Sequence, residues 1–141
     1  MIPQIKKILF ATDLSKNAAY AFYYAIHMAK QDEAKIIILH AVEPLPPIGI
    51  AFEDFVYKVA KERWDDAVKT ARERLQEFSQ QADAQMGISS RELVSNVLIR
   101  MGHPAEEILK AVDEEGCDVF RFEFSRVWQK KDGTTALEGR D

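Results

Sequence analysis

The residue in this chain best placed for chemistry is Asp13, which follows the short apolar run KKILFAT at residues 6–12 and precedes a helical pattern opening at Lys16. A carboxylate between a buried strand and a helix N-terminus stands where orphan N–H groups and the helix dipole concentrate anion or metal chemistry. The same position also suits helix capping, with Ser15 accepting a bond from a first-turn N–H. His27, His40 and His103 share no metal-ligand spacing with one another or with Cys117, so no metal site is expected. His27 within a helix and His40 at a strand end read as hydrogen-bonded structural residues, whereas His103 falls in a loop from which a ligand is within reach. The acids Glu106 and Glu107, and those at 113–115, are neighbours on one helix and read as a solvated face, not a carboxylate pair aimed across a cleft. Cys117, between Gly116 and Asp118, reads as a small buried packing residue. No GxxxxGK[ST] or GxGxxG motif and no nucleophile with a base is visible, which removes the P-loop and dinucleotide classes and leaves no catalytic residue to nominate.

Bulk properties narrow the classes further. The 141 residues are 47% hydrophobic and 30% charged, ordinary for one globular core. A net charge of −4 without a Lys/Arg cluster argues against nucleic acid, since that affinity comes from clustered cations that release counterions. Lys130 and Lys131 are followed at once by Asp132 and read as a solvated turn. The first residues are too polar for a signal peptide, and no apolar run approaches the roughly 20 residues of a membrane span. With one cysteine and no internal disulfide to form, the expected compartment is the cytoplasm.

The elements that must position Asp13 follow from hydrophobic patterning. The run at 6–12 reads as a strand buried on both faces, the central one. Ala18, Phe22, Ala25, Ile26 and Ala29 then recur at helical spacing, and a second apolar run follows at 34–42. This βαβ unit makes a parallel sheet the expectation. Pro44, Pro46, Pro47 and Gly49 interrupt the chain; from Phe52 to Ala82 helical spacing returns, with a slip near Trp64, and reads as one long helix stopping at Gly87. Its aromatic stripe reads as core. A third strand is expected over 91–101, a helix opening at Pro104 and stopping at Gly116, and a fourth strand from Asp118. The loops after the strands then meet at one carboxyl edge, where open α/β sheets bind ligands.

Three segments, KKILFATDLS at 6–15, IIILHAVE at 36–43 and MGHPAEEILKAVDEEGCDV at 101–119, resemble the universal stress protein family in wording, order and spacing. The resemblance covers roughly residues 6–119. It implies an α/β fold of the adenine-nucleotide alpha-hydrolase type, an open, mostly parallel twisted sheet with helices on both faces, usually in a homodimer. It also implies a carboxyl-edge cleft for ATP or AMP, with magnesium accompanying ATP. Ala11, Thr12 and Asp13 match the loop near ribose, phosphate or a bound metal. Ala41 matches the position whose main-chain N–H and C=O read the adenine edge, and Gly102 the loop alongside the nucleotide.

The tail departs from the family. ATP-binding members carry Gly, two residues, Gly, nine residues, then Gly followed by Ser or Thr; by that spacing the four positions fall on Glu123, Arg126, Ala136 and Leu137. Such a loop holds phosphates with consecutive N–H groups, and glycine permits the required φ values and close approach. Gly133-Thr134 imitates the motif's end at the wrong spacing. The chain stops at Asp141, before the family's last helix and strand, so these are expected to be missing or altered. After Trp128 no period of 2 or 3.6 is sustained, and 132–135 reads as a turn. A shifted reading frame and a divergent tail both account for this. The expected organisation is a family domain over 1–120 and an atypical tail over 121–141. The expected function is a non-enzymatic stress-response protein whose adenine-nucleotide cleft holds phosphates poorly; the alternative is an interaction module of the same fold that works through protein contacts.

Overall fold

The computed structural model describes residues 5–14, 18–43, 53–87, 89–122, 127–130 and 135–138. Strand β1 (Lys7–Ala11) leads to helix α1 (Ala18–Asp32), β2 (Lys35–Val42), α2 (Glu53–Met86), β3 (Val94–Met101), α3 (Pro104–Glu115) and β4 (Val119–Phe122). Two short strands close the chain, β5 (Val127–Lys130) and β6 (Thr135–Glu138). They form one sheet in the order β3-β2-β1-β4-β5-β6. β1 lies parallel between β2 and β4, with Phe10 opposite Ile38 on one side and Arg121 on the other. β2 pairs parallel with β3, so β3, β2, β1 and β4 all run in one direction.

The alternation of side chains along β1 and β2 explains why both runs are continuously apolar. Ile8, Phe10, Ile36 and Ile38 face a core shared with Phe22, Ala25, Ile26 and Ala29 of α1 and Ala71, Phe78 and Ala82 of α2. Leu9, Ala11, Ile37 and Leu39 point the other way, onto Ile108, Ala111 and Val112 of α3. Helices therefore cover both faces, as the sequence patterning predicts. At its far end α3 stops at Gly116, whose φ of 67° is left-handed, and the Cys117 N–H closes on the Val112 carbonyl at 3.0 Å. Asp118 then ties β4 to β1: its Oδ2 accepts the Lys6 and Lys7 N–H groups at 2.8 and 3.0 Å.

Three expectations change. The third strand begins at Val94, because Ser90–Glu92 forms a single 3-10 turn held by the Ser90 N–H on Asp83 Oδ1 at 2.8 Å and the Leu93 N–H on the Ser90 carbonyl at 3.0 Å. The stripe of α2 is core only in its second half: Phe78 is buried, whereas Trp64 and Val68 are half-buried and line a hollow. The tail carries strand structure. β5 pairs antiparallel with β4 (Phe120 opposite Gln129) and with β6 (Trp128 opposite Leu137), extending the sheet beyond β4. Four-residue strands offer two alternations at most, too few to register as a period; β5 is placed by the backbone of β4 and β6 by that of β5. No helix lies between β4 and β5 among the described residues.

Candidate functional site

A cleft of about 480 Å³ opens at the carboxyl ends of β1 and β2, between α2 on one face of the sheet and α3 on the other. Its floor starts at the end of β1. Ala11 and Thr12 are buried, and the Thr12 N–H donates to the Leu39 carbonyl at 2.9 Å, carrying the pairing with β2 one residue past the end of β1. Thr12 Oγ1 then accepts the Leu14 N–H at 2.9 Å, a tight side-chain turn that holds Leu14 at φ 62° with its side chain buried. A leucine in this region carries strain of order 1–3 kcal/mol, offset here by burial and the Thr12 bond. The turn leaves Asp13 at its apex, exposed and on the cleft wall. The capping role of Ser15 falls outside the described residues.

β2 runs past the end of β1, and this overhang shapes the second wall. In a parallel ladder the N–H and C=O of successive residues turn to alternate neighbours. Leu39 bonds toward β1 through its carbonyl, and Val42 bonds toward β3, accepting the Gly102 N–H at 2.9 Å. The alternation therefore turns the N–H and C=O of Ala41 toward the side that β1 has left. Ala41 is half-buried on the cleft, and its small side chain leaves that strip of backbone approachable. The adjacent His40 donates through Nδ1–H to the Thr12 carbonyl at 2.9 Å, linking the two strand ends. That is the hydrogen-bonded role the sequence assigned to it, although the ring also lines the cleft.

The remaining walls come from helices. Pro104 and Ile108, one turn apart on α3, and Arg63 and Ala67, one turn apart on α2, face the cleft. Sequence patterning does not pick out Arg63 or Ala67: the i, i+4 spacing is visible, but only the packing of α2 on the sheet shows which turn of a 34-residue helix reaches the carboxyl edge.

Of the residues nominated from sequence, the structure brings Ala11, Thr12, Asp13 and Ala41 onto one cleft, and Gly102 is absent from its lining. Gly102 sits behind, and its missing side chain makes room for Glu107: a Cβ there would stand 2.8 Å from Glu107 Cγ and 2.9 Å from Cδ. Glu107 is consequently buried, not solvated as its sequence context implies, with Oε2 3.5 Å from Lys110 Nζ. Its neighbour Glu106 is exposed, as is His103, the residue preceding α3, which does not line the cleft. His27 is exposed on α1. Cys117 is buried beneath α3, and burial pushes its thiol up to about 11, with Lys7 pulling weakly the other way; it is a packing residue with little thiolate character at neutral pH.

Of the four family glycine positions, Glu123 and Arg126 lie outside the described residues, while Ala136 and Leu137 belong to β6. β6 is three strands from β1, roughly 14 Å across the sheet at ordinary strand spacing, and cannot form a loop over the cleft. Among the described residues no group of three or more His, Cys, Asp or Glu is arranged to hold a metal ion. A larger hollow of about 910 Å³ lies between α2 and β3 and includes Trp64, Val68, Arg72, Arg91, Val97 and Ile99, but none of the strand-end residues. The smaller cleft is the candidate site, because that is where carboxylates, open backbone and helix ends converge.

A sheet with this order, helices on both faces and a cleft at the β1 and β2 ends defines an open, mostly parallel α/β protein with its candidate ligand site at the carboxyl edge. The chain belongs to the universal stress protein family, whose model matches residues 4–119. It is 30% identical over 117 residues to universal stress protein YxiE of Bacillus subtilis, covering 78% of this chain and 72% of that protein. It is also 30% identical over 115 residues to the universal stress protein in the QAH/OAS sulfhydrylase 3' region of Thermus aquaticus, covering 81% and 73%. The solved structure of universal stress protein UspA from Lactobacillus plantarum has the same fold, with a TM-score of 0.66 at 18% identity over 86% of this chain and 78% of that one.

Proposed function

We propose that this protein binds an adenine nucleotide at the carboxyl-edge cleft without gripping its polyphosphate. The observation that carries the reading is Ala41, whose N–H and C=O are turned into the cleft beyond the end of β1. An N–H beside a C=O pairs with the adenine edge, the N–H donating to a ring nitrogen and the C=O accepting from the exocyclic amine. Leu39, Ala67 and Ile108 supply apolar surface for the base, and Asp13 stands where it can accept from ribose hydroxyls or, with ATP, share a magnesium ion with the phosphates. Among the described residues nothing in the cleft lining replaces the glycine nest, and Asp13 and Glu43 both bring negative charge to its rim. Without a nucleophile and base the protein is read as a binding protein and not an enzyme, acting in the cytoplasm as a homodimer. No helix among the described residues is long and apolar enough to cross a membrane.

A second reading, an interaction module that binds no nucleotide, is favoured by one observation: β3 is at the edge of the sheet with the 910 Å³ hollow beside it, a surface shaped for contact. Calorimetric titration with magnesium-ATP and with AMP separates the two. The nucleotide reading expects both to bind weakly and within a few-fold of each other; absence of heat with either supports the interaction module.

A further inference from the structure

We propose that Arg63 is the phosphate-contacting residue of the cleft, and that it selects nucleotides held through a single phosphate group. This inference rests on the nucleotide reading above. The long helix explains how Arg63 comes to be there. At 1.5 Å per residue the 34 residues of α2 extend about 50 Å, whereas the eight residues of β2 extend about 26 Å. The end of α2 reaches the amino edge of the sheet, where the Ser90 turn hands the chain to β3, so its first half overhangs the carboxyl edge. Counting back from Met86, Ala67 falls near that edge and Arg63 one turn, about 5.4 Å, beyond it. A base seated against Ala67, Leu39 and Ile108 points its phosphate outward, toward the mouth where Arg63 stands.

The charges decide how many phosphates the mouth tolerates. Among the described residues Arg63 is the single Arg or Lys lining the cleft, against the carboxylates of Asp13 and Glu43. Among the described residues Arg63 is in neither ion pair, those being Arg100 with Glu114 and Lys110 with Glu107. Its guanidinium can therefore take one phosphate in bidentate geometry. Among the described residues further phosphates gain no second cation and meet two carboxylates, so chain length beyond one phosphate is expected to add nothing. The ligand class is a nucleoside monophosphate or a longer nucleotide bound as though it were one.

The test is a divalent-free titration of adenosine, AMP and ATP against the full chain and against Arg63→Ala and Arg63→Lys. A charge-assisted contact predicts that AMP binds about tenfold tighter than adenosine, with ATP close to AMP. Arg63→Ala should bring AMP down to the adenosine level and leave adenosine unchanged, and Arg63→Lys should recover part of the loss. Arg63 is exposed on a helix, so neither change threatens the fold. If adenosine binds but AMP is no tighter, or if Arg63→Ala weakens both alike, the assignment is overturned while the nucleotide reading stands. If none of the three ligands binds the unmodified chain, both are overturned.

Discussion

Replacing Phe22 by alanine should lower the stability of this protein by about 3–5 kcal/mol. Phe22 is 1% exposed on α1, with its ring centroid 6.3 Å from that of Phe10 on β1 and 6.4 Å from that of Phe78 on α2. It is the side chain through which the central strand and both helices of that face meet. Truncation removes the apolar transfer energy and leaves a cavity that three separate elements cannot collapse to fill. A domain of this size is held by about 5–15 kcal/mol, so the loss takes a large share. In thermal unfolding the midpoint should fall by about 10–15 °C. Tyr20→Ala is the matched control: Tyr20 is 69% exposed and touches Tyr23 edge-on, and its loss should change stability by under about 0.5 kcal/mol. Equal effects of the two substitutions would contradict the assignment of α1's buried face.

Gly102→Ala carries the second large effect, and it links the fold to the cleft. The new Cβ would come within 2.8 Å of Glu107 Cγ, closer than packed atoms approach. Glu107 cannot yield cheaply, because its side chain is buried and its Oε2 lies beside Lys110. Either the carboxylate is pushed out of its slot or the loop from β3 to α3 shifts, carrying Pro104 away from the cleft wall. Overpacking of this kind costs about 1–3 kcal/mol. Shortening the obstructing side chain should relieve it: Gly102→Ala combined with Glu107→Ala is expected to be more stable than the sum of the single changes, by about 1 kcal/mol or more in a double-mutant cycle. Additive losses would show that the two residues do not share this space.

These two positions mark where sequence reasoning succeeds and where it stops. Phe22 was legible because α1 is amphipathic and its stripe meets a strand apolar on every residue; periodicity and burial point the same way. β1, β2, α1 and α3 were readable for that reason, and Asp13 followed because the end of a buried strand before a helix is a recognisable place. Glu107 was not legible: on helical spacing it belongs with Glu106 on a solvated face, and only the contact with a glycine five residues earlier buries it. Arg63 escaped for a related reason, since its role depends on how far α2 overhangs the sheet, a length mismatch between two elements that neither one reveals alone. β5 and β6 escaped because β5 is placed by pairing with β4 and β6 by pairing with β5, and their own four residues carry too little pattern.

The tail is also where the chain departs from the family's glycine pattern. Ala136 and Leu137, at two of the expected glycine and hydroxyl positions, are absorbed into β6. The front of the cleft is nonetheless present among the described residues: the Thr12 turn, the Asp13 apex and the backbone of Ala41 all line it. The proposed adenine site is built from this front alone, without the family's phosphate loop.

The most direct test of that account is an amide-resolved NMR titration of the full chain with AMP. The cleft reading predicts saturable shifts at Thr12, Asp13, Ala41, Ala67 and Ile108, with the Ala41 N–H moving most as it takes up the adenine edge. Saturable shifts confined instead to Trp64, Val68, Val97 and Ile99, or no shifts at millimolar AMP, would contradict it.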